Sequence, residues 1–555
     1  MKRKIISCLI ISALLAFGLF FVVACGDEGN QAGSGDAVFN PTGDLIMSEP
    51  ISITTWIEGG GDVDWDDHVF IQEMGEKTNV FLDIMVGGTG GDAITQRNLM
   101  FASGDYPEML LLDWHTMITW SDVMQYGIRE EIIIPVTSFI DSYGVNMQRL
   151  FNHNPYFRER MTAPDGEIYG VPRFSECFHC SAYPKMYIRT DWLEMLGMDK
   201  PTTTDELHAV LYAFVHNNPA GVPDPVGITG GIEWNTMVEY GIIGMAFQTV
   251  VPDFWLNLAD DGVSIEISVM TDQYREGLRF LRDLYEDGLI DRGAFSQNAD
   301  ALSQVVRATP HSVGMFVVDH PAMGFDMTNF DESRIYQALR EPLRGPTGFQ
   351  RQPENANEGE FGGFHAVITD AAQHPEAAFR FIDNILLDEV IHRTRFNGPE
   401  GRGWEVAPPG LLDIFGNPIE FIVLHMNEVD VLPYTFPAGP QPDIAPMRAA
   451  QLVAVEGDDV YLPENYEQRI SLDTIPLLPF IPETRLQYNV FVPLDYLSEF
   501  NGIEASINSF IRMATVQFII GDRDIETEWE QYLDELRAFG IYRYLEIYEI
   551  ATGRR

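Results

Sequence analysis

Hydrophobic and polar positions along the chain predict helices that alternate with short strands. Residues 51–57 alternate between the two classes and are rich in β-branched side chains. Residues 80–86 are similar, after a polar stretch that suits a helix. The apolar run 109–113 is typical of a buried parallel strand. These segments predict a β-α-β opening and place the chain in the α/β class.

Four later segments carry hydrophobic residues at helical spacing. Thr203 and Glu206 form a candidate capping box in front of the apolar positions of 207–214. The same helical spacing of apolar residues recurs over 274–285, 375–386 and 529–539. No internal repeat accompanies them. A body that runs from about Asp44 to Arg555 is too long for one small core, so about two or three domains are expected.

The amino terminus has the form of a lipoprotein signal peptide over residues 1–24. Basic residues at 2–4 precede an apolar stretch over 5–23, and Val22-Val23-Ala24-Cys25 completes a lipobox. Residues 25–47 are then a lipidated Cys25 and a flexible, glycine-rich tether. An ordinary secretory signal and an uncleaved anchor are the alternatives. All three interpretations place the folded body outside the cytoplasm. If the segment is a lipoprotein signal, the lipid on Cys25 is the sole attachment to the cell membrane.

The charge of the chain excludes one class of partner. A formal net charge of −48 comes from 83 acidic against 35 basic residues. Such a chain is repelled by phosphate backbones, so nucleic-acid binding is excluded. The hydrophobic fraction of 45% is that of a globular protein with large cores.

Cys177 and Cys180 are the cysteines of the folded body, in the sequence Cys177-Phe178-His179-Cys180. A short-loop disulfide is the favoured state outside the cell. A metal site remains an alternative, although this motif supplies at most three of the four ligands that such sites use. A redox-active pair is a further alternative, without the surrounding pattern of thioredoxins. We therefore predict a disulfide, no metal and no cofactor.

Motifs spread over nearly the whole body resemble one known family. They are LMFASGDYPE at 99–108, DGEIYGVP at 165–172, YIRTDWL at 187–193 with Leu196-Gly197 and Pro201-Thr202-Thr203, YEDGLI at 285–290, GPEG at 398–401 before Trp404, and FIIG at 518–521 before Trp529. On these motifs the chain resembles the extracellular solute-binding proteins of family 1, in the lipoprotein branch related to the LplA and alginate-binding proteins.

The resemblance implies a two-lobed α/β fold with a ligand cleft between the lobes and a hinge of crossover strands. Crossovers are expected after Tyr169, near 314–317 and near 363–367. The amino-terminal lobe would then comprise 48–170 plus about 314–364, and the carboxy-terminal lobe 171–313 plus about 365–555. The likeness also implies a monomeric, non-enzymatic binding protein that captures an oligosaccharide and delivers it to the permease subunits of an ABC importer.

One departure from the family concerns calcium. Relatives often carry an acidic calcium loop after the helix that here is predicted to end near Phe214. Residues 217–224 are short of carboxylates for a cation that prefers six or more oxygen ligands. No calcium is expected at this loop.

Tryptophans are the main candidates for ligand contact. Sugars present apolar ring faces edged by hydroxyls, so a cleft needs aromatic plates and planar polar groups. The candidates follow predicted strands or lie in glycine-rich or polar surroundings: Trp56, Trp114, Trp234, Trp255 and Trp404. Packing in the core is the alternative for each of them. Trp192 and Trp529 fall on amphipathic segments and are assigned to the core.

Two polar residues complete the predicted site. Asp105 could accept paired hydroxyls, although an aspartate in such a turn often caps a helix. Arg173 directly follows the first crossover, where a guanidinium could bind hydroxyls or a uronate. Arg189 is expected to pair with Asp191.

Competing functions are a surface polysaccharide hydrolase or lyase, and a lipoprotein that assists secretion or adhesion. A hydrolase needs two carboxylates at a set separation across a cleft, and no acidic pair here belongs to a hydrolase motif. No catalytic residue is predicted.

Overall fold

The computed structural model describes residues 37–59, 63–65, 67–113, 116–233, 235–259, 261–327, 329–353, 363–424, 431–454 and 460–554. The predicted signal peptide, Cys25, Trp114 and Trp234 lie outside these described residues.

The first sheet has five strands. In spatial order they are Val80–Val86, Ile51–Ile57, Met109–Leu111, Phe364–Ile368 and Val171–Pro172. The first three run parallel, and Phe364–Ile368 runs antiparallel to both of its neighbours. The sheet therefore contains the three strands that the amino-terminal pattern predicts.

The second sheet has four strands. Their spatial order is Tyr336–Ala338, Lys185–Arg189, Val313–Val318 and Val226–Thr229. The central strand Val313–Val318 is fully buried and pairs antiparallel with Lys185–Arg189 and parallel with Val226–Thr229. Smaller ladders join Trp404–Val406 to Phe421–Val423, Pro442–Asp443 to Phe174–Ser175, and Leu256–Leu258 to Ile265–Ile267.

Helices cover both sheets. Those before the second sheet are Val69–Thr78, Gly90–Ser103, Trp120–Asp122 with a π-helical extension Val123–Arg129, Thr137–Tyr143, Val145–His153 and Pro155–Met161. The following ones are Thr190–Leu196, Thr204–His216, Val238–Ala246, Asp272–Glu286, Ala299–Arg307 and Phe330–Ile335. The last are Pro375–Phe381 with a π-helical Ile382–Leu386, Glu389–Asn397, Ala445–Ala449, Tyr466–Thr474, Leu494–Ile520, Trp529–Ala538 and Ile541–Thr552. Among the described residues, none of these helices has the length and apolar character required to cross a membrane.

Two large hydrophobic cores correspond to the two lobes. One core surrounds the first sheet and includes buried residues from 46–174 and 364–450. The other lies against the second sheet and draws on 186–343 and 486–548. A smaller cluster around Phe316, Phe325 and Tyr336 covers the opposite side of the second sheet. The chain therefore crosses between the lobes several times.

The predicted lobe boundaries differ from this arrangement. Val313–Val318 and Tyr336–Ala338 belong to the second sheet, so these two strands are not part of the amino-terminal lobe. Conversely, Phe364–Ile368 joins the first sheet, and the residues that follow it up to about 450 pack on that sheet. The physical reason is that a continuous apolar run suits a buried strand of either sheet, and only the long-range pairing decides which one it joins.

Candidate ligand site between the two lobes

Strand ends of the first sheet meet at one edge. Trp56 pairs with Met85 on one side and with Leu110 on the other, so three carboxyl ends lie together. Glu58, just beyond the first strand, accepts hydrogen bonds from the Gly90 amide at 2.9 Å and from Thr116 Oγ1 at 3.1 Å. This is the edge at which open α/β sheets bind ligands.

Trp56 lies beneath this edge and is only 3% exposed. Its indole fills the space beside Gly87, where a Cβ would lie 2.2 Å from Trp56 Cζ2. A glycine is therefore required at position 87 for the ring to fit. In this conformation Trp56 supports the strand end and offers little ring surface for stacking.

The second sheet contributes a matching polar edge. Asp319 and His320 follow the strand Val313–Val318, and Tyr183 precedes the adjacent strand. Asn235 Nδ2 donates to Asp319 Oδ2 at 3.0 Å and connects the loop after Val226–Thr229 to this edge. Burial raises the pKa of Tyr183 far above its ordinary value, and Asp319 adds to the rise, so the phenol is neutral.

A cavity of about 200 Å³ lies between the lobes. Its lining residues are Arg173, His392, Phe396, Asn397, Phe421, Val423, Gln441, Asp443, Met447, Arg448, Gln451 and Glu467. Most of them belong to segments that pack on the first sheet. Glu467 instead lies in the first turn of the helix Tyr466–Thr474. This helix is attached to the second sheet, where Arg469 Nη2 donates to the Tyr336 carbonyl at 2.5 Å.

A second cavity of about 410 Å³ adjoins the first one. The two share Asn397, Val423, Gln451 and Glu467. Gln468 lines the second cavity, and its Oε1 has no hydrogen-bond partner among the described residues. The pair of cavities therefore shares a wall that contains the amides of Asn397 and Gln451 and the carboxylate of Glu467.

Two arginines and one aspartate form an ion cluster on the cavity wall. Arg173 Nη2 lies 2.9 Å from Asp443 Oδ2, and Arg448 Nη2 bonds the same oxygen. The local fold explains the cluster, because Pro442–Asp443 pairs with Phe174–Ser175 directly after Arg173. Burial alone would raise the pKa of Asp443, but Arg448 and Arg173 lower it below its ordinary value. The carboxylate therefore stays charged and paired.

The remaining titratable groups of the cavity are neutral or paired. Burial lowers the pKa of His392 to about 3, with a contribution from Arg395, so the imidazole is neutral at pH 7. Its Nδ1 makes no hydrogen bond within the described residues. Glu467 Oε2 lies 3.0 Å from His179 Nδ1. Burial alone would raise the pKa of Glu467, but His179, with Arg448 and His320, lowers it below its ordinary value.

Of the sequence-predicted residues that the structure describes, Arg173 lines this cavity. Trp404 is 3% exposed, donates from Nε1 to Thr394 Oγ1 at 3.3 Å, and belongs to the core of the first lobe. Trp255 is fully buried in the second lobe beside Tyr240, so no ring face is open to a ligand. Asp105 is exposed in the turn after Gly90–Ser103 and is absent from the cavity lining.

Sequence reasoning missed most of the cavity wall. His392, Asn397, Gln441, Asp443 and Arg448 come from a stretch in which only the glycine-rich loop 398–403 stood out. Nothing in their spacing marks them, because the ladder to Phe174–Ser175 is what brings them to Arg173.

The motif Cys177-Phe178-His179-Cys180 lies beside this site. Cys177 and Cys180 are joined by a disulfide. His179, His320 and Glu467 also have donor atoms within 4.8 Å of one another, next to the disulfide loop. The absence of a bound metal stays a prediction.

Comparison with known proteins adds a family context. No family model matches the chain. It is 26% identical over 546 residues to the fructooligosaccharide ABC transporter substrate-binding protein FusA of Streptococcus pneumoniae, covering 97% of this chain and 96% of FusA. It is 27% identical over 233 residues to the polygalacturonan/rhamnogalacturonan-binding protein YtcQ of Bacillus subtilis, covering 40% of this chain and 41% of YtcQ.

A solved structure shows the same fold. The complex of S. pneumoniae FusA with kestose superimposes with a TM-score of 0.73 at 23% identity, covering 90% of this chain and 98% of FusA. The two-lobed architecture with a cleft between the lobes is therefore shared over almost the full length of both chains.

Proposed function

We propose that this chain, which belongs to the family 1 extracellular solute-binding proteins, captures an oligosaccharide between its lobes and delivers it to an ABC importer. The observation that carries the proposal is the polar cavity beside Arg173, whose wall includes residues held by each lobe. Full-length similarity to a fructooligosaccharide-binding protein supports the carbohydrate assignment.

The chemistry of the lining suits sugar hydroxyls. Asn397, Gln441 and Gln451 each contribute a planar amide with donors and an acceptor to the lining, next to the neutral ring of His392. Phe396 and Phe421 supply apolar ring surface beside them. Alternating apolar faces and hydroxyl edges of a sugar match such a surface.

The position of the cavity supports closure upon binding. A ligand that contacts Gln441 on one lobe and Gln468 on the other gains contacts that an open form lacks. Such differential contact shifts the population towards the closed state. The permease would then recognise the closed, loaded monomer.

A polysaccharide hydrolase fits the cavity less well. A glycosidase needs one carboxyl group that is protonated at working pH and a second that is ionised. Asp443 and Glu467 are the carboxylates of the described lining, and the pKa of each is lowered by its basic neighbours. Neither can serve as the general acid, so we propose a binding protein without catalysis.

We also propose that the mature chain is attached to the extracytoplasmic face of the cell membrane by a lipid on Cys25. The support is the lipobox together with the glycine-rich tether. Cys25→Ala should release the protein from the membrane fraction or leave it as an uncleaved precursor, measured by fractionation and intact mass. A variant that remains bound and processed as in the wild type would refute the anchor.

Binding is tested with the mature chain and a panel of oligosaccharides. Saturating ligand should raise the melting temperature, because it binds only the folded state. Gln451→Ala removes an exposed amide shared by both cavities. It should weaken binding about two- to tenfold by calorimetry, the scale of one hydrogen bond, with the unliganded melting temperature unchanged.

Gln531→Ala is the matched control, since this glutamine is exposed on the helix Trp529–Ala538, away from the cavities. Its affinity should equal that of the wild type. If no carbohydrate binds the wild-type chain, the proposed function is wrong.

A further inference from the structure

We infer that the ligand is an uncharged oligosaccharide and that this chain discriminates against uronate chains. The inference rests on the proposed function and specifies its substrate class. The two relatives differ on this point, because one is named for a fructooligosaccharide and the other for polygalacturonan. The charges of the cavity decide between these classes.

Each charged side chain of the described lining has a partner within salt-bridge or hydrogen-bond distance. Arg173 and Arg448 converge on Asp443, and their side chains are 13–18% exposed. Glu467 pairs with His179 at 3.0 Å, in a contact whose two side chains are 8% and 12% exposed. Arg448 also acts on Glu467 electrostatically. The two arginines are therefore balanced by two carboxylates.

A uronate would add a negative charge to a wall whose charges are already balanced. Recognition of a sugar carboxylate uses a guanidinium or ammonium group. Both arginines of the described lining contact Asp443, so a uronate would have to share them with this carboxylate or draw one of them away. Breaking a buried pair in this way leaves an uncompensated charge, which is costly.

Hydroxyl groups need no such rearrangement. The amide side chains of Gln451, which is exposed, and Asn397, which is half-buried, line both cavities. Both are neutral groups that can exchange hydrogen bonds with hydroxyls. A neutral sugar can therefore bind here without displacing an ion pair.

The field of the whole chain acts in the same direction. With a net charge of −48, the protein repels a polyanion during the approach to the cleft. The acidic excess thus repels uronates at long range. At short range, the two arginines that could bind a uronate are already paired with Asp443.

The inference is tested on the wild-type mature chain by calorimetry. The probes are neutral fructo-, galacto- and gluco-oligosaccharides, and oligogalacturonides and oligoalginates of equal length. We expect the best neutral ligand to bind at least about tenfold more tightly than any uronate. Repeating the titrations in about 0.5 M NaCl screens the long-range repulsion, and the preference should persist. A uronate as the tightest ligand overturns the inference but leaves the proposed function intact, whereas failure of both classes refutes the proposed function.

A variant tests the cause of the preference. Asp443→Asn removes the internal anion and leaves Arg173 and Arg448 without their shared partner. The ratio of neutral to uronate affinity should fall at least about threefold. Asp141→Asn is the matched control, because Asp141 is an exposed partner of Arg158 outside the cavity. Glu467→Gln provides a second variant on the opposite wall, with the same expected direction if Asp443→Asn does not fold. An unchanged ratio in the folded variants would show that ion pairing does not set the preference.

Discussion

Buried tryptophans in the second lobe are held by polar as well as apolar contacts. Trp255 is fully buried, its Nε1 donates to Asn508, and its ring lies 5.4 Å from that of Tyr240. Trp192 packs edge-on against Phe214, with Arg189 over its ring at 4.8 Å. Each ring therefore fills a space that smaller side chains cannot fill.

Trp255→Ala should behave as a core substitution. We expect a loss of about 3–5 kcal/mol in the free energy of unfolding, because the change leaves a cavity and an unpartnered Asn508 amide. Trp192→Ala should lose a similar amount, whereas Tyr542→Ala, at a side chain that is 54% exposed, should change by less than about 0.5 kcal/mol. Urea denaturation measures all three. If Trp255→Ala is as stable as the wild type but binds ligand more weakly, Trp255 belongs to the ligand site instead.

Arg173 is the predicted residue that lines the described cavity wall, and its role in binding stays a prediction. Arg173 follows a motif whose likeness to the family implies a crossover, so its position was available from the sequence. Asp443 has no such marker, because its place depends on a two-residue ladder formed across the fold. The burial of Trp56, Trp255 and Trp404 could not be predicted either. Each lies in a strand-like or loop-like pattern, and such a pattern does not show which residues pack over the ring.

Helices in the second lobe depend both on local sequence signals and on tertiary packing. Thr203 accepts from the Glu206 amide at 3.2 Å, as a helix start predicts. The Glu206 carboxylate, however, accepts from the amide and hydroxyl of Thr202, so the reciprocal half of the capping box is displaced by one residue. The helix Val238–Ala246 lacks an exposed face altogether, and it includes a buried Glu239. An amphipathic pattern cannot reveal such an element.

Glu239 should make the stability of this helix depend on pH. Burial raises the pKa of Glu239 to about 7, against the weaker effects of a backbone hydrogen bond and Arg512. The folded state therefore holds a proton that the unfolded chain releases near pH 4.5, and stability is lost as pH rises from about 4.5 to 7. Glu239→Gln should gain up to about 3 kcal/mol over the wild type across this interval, on the scale of 1.4 kcal/mol for each unit of pKa.

The measurement is urea denaturation of both proteins at pH 4.5, 6 and 8. Glu194→Gln, an exposed carboxylate on the helix Thr190–Leu196, should give a difference from the wild type that is constant with pH. A constant difference for Glu239→Gln as well would mean that this side chain is ionised in the folded protein.

The assignment of chain segments to the two lobes is the feature of the whole molecule that was hardest to predict from the sequence. The class and the two-lobed architecture followed from the alternation of elements and from the family motifs, and the shared fold agrees with both. The structure differs from the predicted lobe assignment at Val313–Val318, because this strand pairs with one strand more than 80 residues earlier and with another more than 120 residues earlier. Sheet membership of this kind depends on non-local contacts, which a pattern of hydrophobic positions does not encode.

The acidic excess should limit the stability of the whole molecule. A net charge of −48 implies mutual repulsion among carboxylates, which the compact state suffers more than the unfolded one. Exposed pairs such as Arg543 with Glu499 and Arg275 with Glu526 offset little of it, because surface ion pairs contribute only about 0–1 kcal/mol each. Salt between about 10 mM and 150 mM shortens the screening length from about 30 Å to about 8 Å.

The melting temperature of the mature chain should therefore rise over this range of NaCl at pH 7.5, as followed by circular dichroism. Repeating the titration near pH 4.4, the isoelectric point of the sequence, supplies the control. The net charge vanishes there, so the dependence on salt should largely disappear. A melting temperature that falls with salt at pH 7.5 would mean that attractive surface pairs outweigh the repulsion. Local networks such as Glu526 between Arg275 and Arg279 would then contribute more to stability than their exposure suggests.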